Sequence, residues 1–266
     1  MSLRPAEGLC LLFLCHVRGW HPAAEPRGWL ASVDWGHVTP CPANTYRDIS
    51  VLHVLSLIMH IDRAGTPFLV GSLIPAVACA LARRPGWAMP LIGLAGFMAF
   101  FFRDPDRVPP DDPNVVVAPA DGRVMVAGQC DPAAAPPGDW QQVSVFLSPL
   151  DVHINRVPYG GELVRTAFTP GRFLAAYNAG AARENARNML WVRRDDRTVV
   201  FQQVVGVLAR RLVCRVQVGD RLDTGQRFGL MKFGSRMDLF VPPACRLEVR
   251  PGDRVRAGES IVARWT

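Results

Sequence analysis

The chain has 266 residues, 49% hydrophobic and 20% charged, with a formal net charge of +7. That charge fraction excludes a disordered tail protein, and the length fits one large domain with appendages. Lys232 is the only lysine among thirty cationic residues, which narrows lysine-based imine chemistry to one position.

Residues 1–58 carry scattered Trp, Pro, Cys and His with no sustained period of 2 or 3.6. They read as a poorly structured extension, and Met59 opens a stretch resembling a natural start, so that the extension could be untranslated. The apolar run Leu9 to Val17 has the length of a signal-peptide core but no clean small-residue cleavage site after it. From Pro67 to Phe102 the chain is nearly free of charge, interrupted by Arg83-Arg84-Pro85-Gly86. Each apolar run is shorter than the ~20 residues of a straight span, so residues 59–102 read as a membrane-associated helical hairpin. A buried helical pair is the competing reading. Residues 103–113, rich in Asp and Pro, read as a linker leaving the membrane surface.

Residues 114–266 alternate short β-branched segments with glycine punctuation. Strands are predicted at Val115 to Val117, Arg123 to Ala127, Gln142 to Leu147, Thr198 to Val207, Arg211 to Val218, Met237 to Val241 and Arg246 to Val249. The fold class is therefore mainly β (α+β), with connections too short for regular crossover helices. Val218-Gly-Asp-Arg-Leu-Asp-Thr-Gly225 and Arg250-Pro-Gly-Asp-Arg-Val-Arg-Ala-Gly258 share Gly-Asp-x-(Leu/Val)-x-x-Gly. Such turns suit a barrel-sandwich, lipoyl-like domain, and two copies are too few for a solenoid.

The seven cysteines contain no C-x-x-C pair, which argues against a disulfide framework or a zinc ribbon. Of six histidines, only His153 lies beyond His60. Reactive types gather around Asp121, around Ser148 to Arg156, around Arg183 to Asn188, and around Lys232 to Arg236. Each has a plain reading: Asp121 as a turn residue, His153 as a satisfied core group, Ser235 as a loop serine, and Glu184 to Asn188 as a solvated helix face. Together, Asp121, His153 and Ser235 are the types of an orienting carboxylate, a base and a nucleophile. No G-x-S-x-G elbow is present, which argues against an α/β-hydrolase. The open Gly234 carbonyl before Ser235 could be attacked by the serine's own hydroxyl, converting the peptide bond to an ester.

The stretches FFRDPDRVPP, VVVAPADGRV, VFLSPLDVHINRVPYGG, GVLARRLVCRVQVGD and GQRFGLMKFGSRMDLFVP resemble the phosphatidylserine decarboxylase family, in its short, membrane-anchored form. The GSR site in its GLMKFGSR context is the specific element. The resemblance implies a proenzyme that cuts itself between Gly234 and Ser235. Its products are a β chain of residues 1–234 and an α chain of residues 235–266, a heterodimer capable of higher assembly. Ser235 becomes a pyruvoyl group, and a Schiff base on it decarboxylates phosphatidylserine to phosphatidylethanolamine. Neither metal nor pyridoxal phosphate is implied, nor any nucleic-acid partner.

His153 is then the base for Ser235, with Asp121 fixing its tautomer. Glu184, Asn185, Asn188 and Lys232 support the site, and Arg103 and Arg107 attract anionic lipid or anchor the interface. Two positions depart from the family's pattern: Arg156 stands where some members have a second histidine, and Ala186 where glutamate is common. The expected location is the cell membrane, on its cytoplasmic face. A non-enzymatic, membrane-anchored lipoyl-like adaptor is the alternative.

Overall fold

The computed structural model describes residues 60–178, 180–207, 212–232 and 235–266. The expectations for residues 1–59 and for Gly234 lie outside the described residues. A single 3-10 turn (Arg63–Gly65) leads into α1 (Thr66–Leu81) and α2 (Pro85–Phe101). Proline sits in the first turn of each helix, where its missing N–H costs nothing. The break falls on Arg83, whose φ of 52° ends the first helix. Arg63–Leu81 is long and apolar enough to cross a membrane, while α2 is shorter.

Only Ser72 and Ala76 of α1 are buried, and only Ala88, Ala95 and Phe101 of α2. Apolar side chains such as Leu81, Trp87 and Met89 point outward. The pair therefore does not form a buried helical core. Its base does dock: Phe101 and Phe102 pack in one apolar cluster with Ile61, Val152, Ile154 and Leu230. Residues 103–113 are stapled to the domain, since Asp104 and Asp106 pair with Arg227 and the Pro105 carbonyl accepts from Arg156.

The domain is mainly β. Its strands are β1 (Val115–Val117), β2 (Gly122–Gln129), β3 (Gln141–Leu147), β4 (Ile154–Arg156), β5 (Gly161–Thr169), β6 (Arg187–Arg194) and β7 (Arg197–Val204). They continue with β8 (Leu212–Cys214), β9 (Arg221–Leu222), β10 (Arg227–Met231), β11 (Ser235–Val241), β12 (Cys245–Leu247), β13 (Arg254–Val255) and β14 (Ile261–Trp265). One short helix, α3 (Ala181–Glu184), precedes β6. Eight strands form a curled sheet in the order β13-β2-β3-β11-β7-β6-β5-β9. Two three-stranded sheets, β1-β14-β12 and β4-β10-β8, complete the architecture. Val145, Leu163, Leu190, Phe201, Met237 and Leu239 are among the fully buried side chains of its core.

These strands form two interleaved halves, and the sequence repeat marks them. Strands β4 to β10 make one half; β1 to β3 and β11 to β14 make the other. The Gly219 N–H donates to Leu163 and the Gly252 N–H to Val124, both at 2.8 Å. Asp220 and Asp253 each accept from the backbone three residues earlier, at Gln217 and Arg250. Val117 N–H donates to Pro158 O and Arg156 N–H to Pro119 O, a reciprocal pair at 2.9 Å. Register shifts fall at Val124/Val126 in β2 and Leu163/Arg165 in β5.

Gly122 and Gly161 open those two strands with φ of 152° and 156°. A Cβ on either would lie 2.0 Å or 2.5 Å from a carbonyl oxygen of the neighbouring strand, so only glycine fits.

In the second half, β6 and β7 form a hairpin closed by Asp195 and Asp196, with Arg194 paired to Arg197. In the first half, Leu147 pairs with Ser235 in the same way. There the connection is not a tight turn but the whole of residues 148–234. The other half of the domain is inserted at the end of this strand pair.

Candidate active site

The insertion brings its own entry and exit together. Leu147 leaves β3 and Ser235 enters β11 directly opposite. His153 lies just inside the entry, and its carbonyl accepts from Met231 just before the exit. Ser235 is fully buried, and among the described residues its Oγ has no hydrogen-bond partner. A buried hydroxyl left without a partner costs about 1–3 kcal/mol, so its presence calls for an explanation. Strand alternation turns Ser235 to the same face as Met237. Gln203, directly opposite Met237 on β7, faces that side too and donates to Asn155 Oδ1 at 2.8 Å. Asn155 Nδ2 and Gln203 Oε1 also lack partners, which makes a polar cluster inside an apolar core. On the opposite face, Arg236 is buried against Asp238 and Ser144, fixing the start of β11.

His153 is 1% exposed and its ring lies 4.1 Å from that of Phe101, centroid to centroid. The end of α2 thus covers the imidazole. Nδ1 is 2.9 Å from the Asp151 carbonyl oxygen. A carbonyl can only accept, so Nδ1 carries the proton and the lone pair is on Nε2. The carbonyl is held by a closed turn in which Asp151 N–H donates to Ser148 O and Ser148 N–H donates to Asp151 Oδ2. Burial pushes the His153 pKa down to about 4, against the smaller opposing pull of Asp151. At neutral pH the ring is uncharged and able to accept a proton.

The Asp121 carboxylate is engaged by other groups. Its Oδ1 accepts from the Ala257 N–H at 2.7 Å and its Oδ2 from Arg107 at 3.0 Å. The position matches Gly160 of the other half, where the same link runs in reverse, from the Gly160 N–H to Thr224 Oγ1. Asp121 therefore joins a turn to the chain following the hairpin. Burial pushes its carboxyl above the ordinary range, against the pull of the Ala257 N–H and Arg107. The atom that sets the imidazole tautomer is a backbone carbonyl at Asp151, which residue types alone do not reveal.

The supporting positions divide. Glu184 pairs with Arg172 on the surface, and Asn185 is buried with its amide bonded to Leu174 and Val205, so both serve the fold locally. The reading of Glu184 to Asn188 as a helix face fails, because α3 ends at Glu184 and β6 begins at Arg187. Asn188 and Lys232 line one cavity of about 680 Å³ with Phe168, Phe173, Leu212 and Val213. Arg156 is buried against Gly225 O and Pro105 O, a structural role where some family members have histidine. Arg107 is spent on Asp121 and Glu259, and Arg103 donates to the carbonyls of Phe100 and Leu150. Both arginines tie the hairpin's exit to the domain, which supports anchoring over lipid attraction. Cys79, Cys130, Cys214 and Cys245 are free thiols.

The sequence has known relatives. The family described as Phosphatidylserine decarboxylase matches residues 94–263. Three relatives bear the name Phosphatidylserine decarboxylase proenzyme. That of Pelodictyon phaeoclathratiforme is 40% identical, covering 71% of this chain and 92% of its own length. That of Mycolicibacterium smegmatis is 43% identical over 79% and 91%, and that of Symbiobacterium thermophilum 44% over 77% and 95%. With a match running from the end of the hairpin to the last strand, the chain belongs to the phosphatidylserine decarboxylase family.

Proposed function

We propose that this chain is the proenzyme of a pyruvoyl-dependent phosphatidylserine decarboxylase that matures by cutting itself before Ser235. The observation that carries the reading is the Ser235 hydroxyl, buried and unpartnered beside the junction that holds a neutral histidine. The relatives' names supply the substrate and the word proenzyme.

In the maturation step, His153 Nε2 takes the Ser235 hydroxyl proton, and Oγ bonds to the Gly234 carbonyl carbon. The C–N bond of that peptide breaks and its nitrogen is protonated, leaving an ester. Loss of the Ser235 Cα proton expels the Gly234 carboxylate and leaves dehydroalanine. Its imine tautomer takes up water and releases ammonia, which converts residue 235 to the pyruvoyl group. The burial of Ser235 suits the ester step, because water in excess would hydrolyse the ester before elimination.

The two products, residues 1–234 and 235–266, have reason to stay together. Strand β11 is flanked by β3 and β7, β13 lies on β2, and β14 lies on β1. Once formed, the pyruvoyl group supplies a ketone that bonds the substrate amine and an electron sink for the pair released with carbon dioxide. His153 Nε2 holds and returns the proton at the carbon that loses its carboxylate. Phe101 over the ring keeps water from it.

The outward apolar side chains of α1 and α2 support a place in the cell membrane, with the domain at the cytoplasmic surface and the product entering phospholipid synthesis. An adaptor reading accounts for the hairpin and the sheets but leaves the Ser235 cluster without a purpose. The test is conversion of phosphatidylserine to phosphatidylethanolamine and carbon dioxide by purified protein. Wild type is expected to convert it and Ser235→Ala to be inert; equal conversion by both would remove Ser235 from the chemistry.

A further inference from the structure

A decarboxylase acting on a membrane lipid has to admit the headgroup to residue 235 while the acyl chains stay in the bilayer. Only the two serine carbons and an ester oxygen separate the reacting amine from phosphorus. The phosphate must therefore rest within a side chain's length of residue 235. The cavity lined by Lys232 and Asn188 meets this condition: Lys232 is three residues before Ser235, and Val205 in its wall immediately follows the strand paired to Arg236.

The cavity also opens beside the hairpin. Val213 lines it and packs in the apolar cluster of Phe101 and Phe102. The Lys232 ammonium lies 5.2 Å from the ring centroid of Phe68 in α1, which stacks on Phe102 at 5.3 Å. An ammonium over an aromatic ring at the end of an apolar helix matches the headgroup level of a bilayer. On the other side, Phe168 and Phe173 are 64% and 42% exposed, unusual for large apolar side chains on a wet surface. Apart from Asn188 the walls are apolar, and Lys232 is the cationic group among them.

We infer that this cavity is the glycerophosphate subsite of the lipid substrate. Lys232 pairs with the phosphodiester there, and Phe168 and Phe173 form the lip that rests on the membrane. The inference depends on the decarboxylase reading above. An ammonium held at this point binds the phosphate in the ground state and the transition state alike, so its loss is felt in KM.

The experiment uses the full-length, matured enzyme with phosphatidylserine in detergent micelles. Wild type forming phosphatidylethanolamine establishes the activity on its own; no product from wild type overturns both the activity and the subsite. With activity in hand, Lys232→Met is expected to raise KM about tenfold with kcat changed by less than about threefold, and Lys232→Arg to restore most of the affinity. An unchanged KM, or a loss confined to kcat, overturns the subsite alone. Should Lys232→Met fail to mature, Phe173→Glu carries the same test from the far lip. A carboxylate there is expected to raise KM about tenfold by repelling the phosphate, and an unchanged KM overturns the proposal.

Discussion

The two halves of the β domain share their turns, bulges and opening glycines, yet only one has its hairpin opened, with Ser235 at the opening. In the half formed by β4 to β10, Asp195 and Asp196 close the β6–β7 hairpin, and its end is an ordinary turn. In the other half the corresponding strand ends, Leu147 and Ser235, are held in register while the intervening chain leaves to build an entire second half. Pairing across the sheet secures both sides of the opening. Ser235 therefore starts β11 opposite the strand end from which the insertion, with His153 among its first residues, departs. A tight turn offers no room for a base, and an opened one does.

The largest expected effect breaks the opened strand pair directly. Ser235→Ala is expected to remain one uncut chain with no decarboxylation, seen by mass and by lipid analysis, while unfolding as cooperatively as wild type. His153→Ala is expected to slow self-cleavage or turnover by about 100-fold or more; full activity would remove His153 from the site.

The pH dependence sharpens the same point. With a pKa of about 4, His153 is the free base from neutral pH down to near that value, so the self-cleavage rate should hold steady and fall only as pH drops through about 4. Its folded pKa lies below the unfolded value near 6.5, so its contribution to stability is full above 6.5 and is lost as pH falls toward 4. Phe101→Leu, which loosens the cover on the ring, should move the midpoint of the rate profile upward. A midpoint that stays put would separate the hairpin from the base.

A smaller effect comes from making the halves alike. Asp121→Gly installs the residue of the other half and removes two hydrogen bonds, costing about 2 kcal/mol of stability with a far smaller loss of self-cleavage than His153→Ala. Losses of equal size would restore Asp121 to the chemistry. The smallest effect is at the closed β6–β7 hairpin. Asp195 has a φ of 56°, so Asp195→Gly should raise stability by about 0.5 kcal/mol in thermal melts, leaving self-cleavage unaltered.

Much of this was legible in the chain. The near absence of charge from Pro67 to Phe102 predicts the hairpin, and β-branched runs predict β1, β2, β3, β7 and β11 to within a few residues. Strand β6 is hidden because Arg187, Asn188 and Arg193 give its segment a polar look, although the buried Leu190 and Val192 do alternate with outward Met189 and Trp191. The run predicted from Arg211 to Val218 shortens to Leu212–Cys214, because the Gly219 turn takes over the following residues. Ser235 and His153 stand out by type. The partner of His153 does not, since it is a backbone carbonyl, and the bonds of Asp121 to Arg107 and Ala257 join residues far apart in sequence. The repeat at Gly219 and Gly252 is visible, but that it marks interleaved halves depends on hydrogen bonds across the fold.

Intact mass measurement of the purified wild-type protein tests the central claim most directly. The account predicts two chains parted between residues 234 and 235, the smaller beginning with a keto group in place of an amine. A single full-length chain that decarboxylates phosphatidylserine would contradict it.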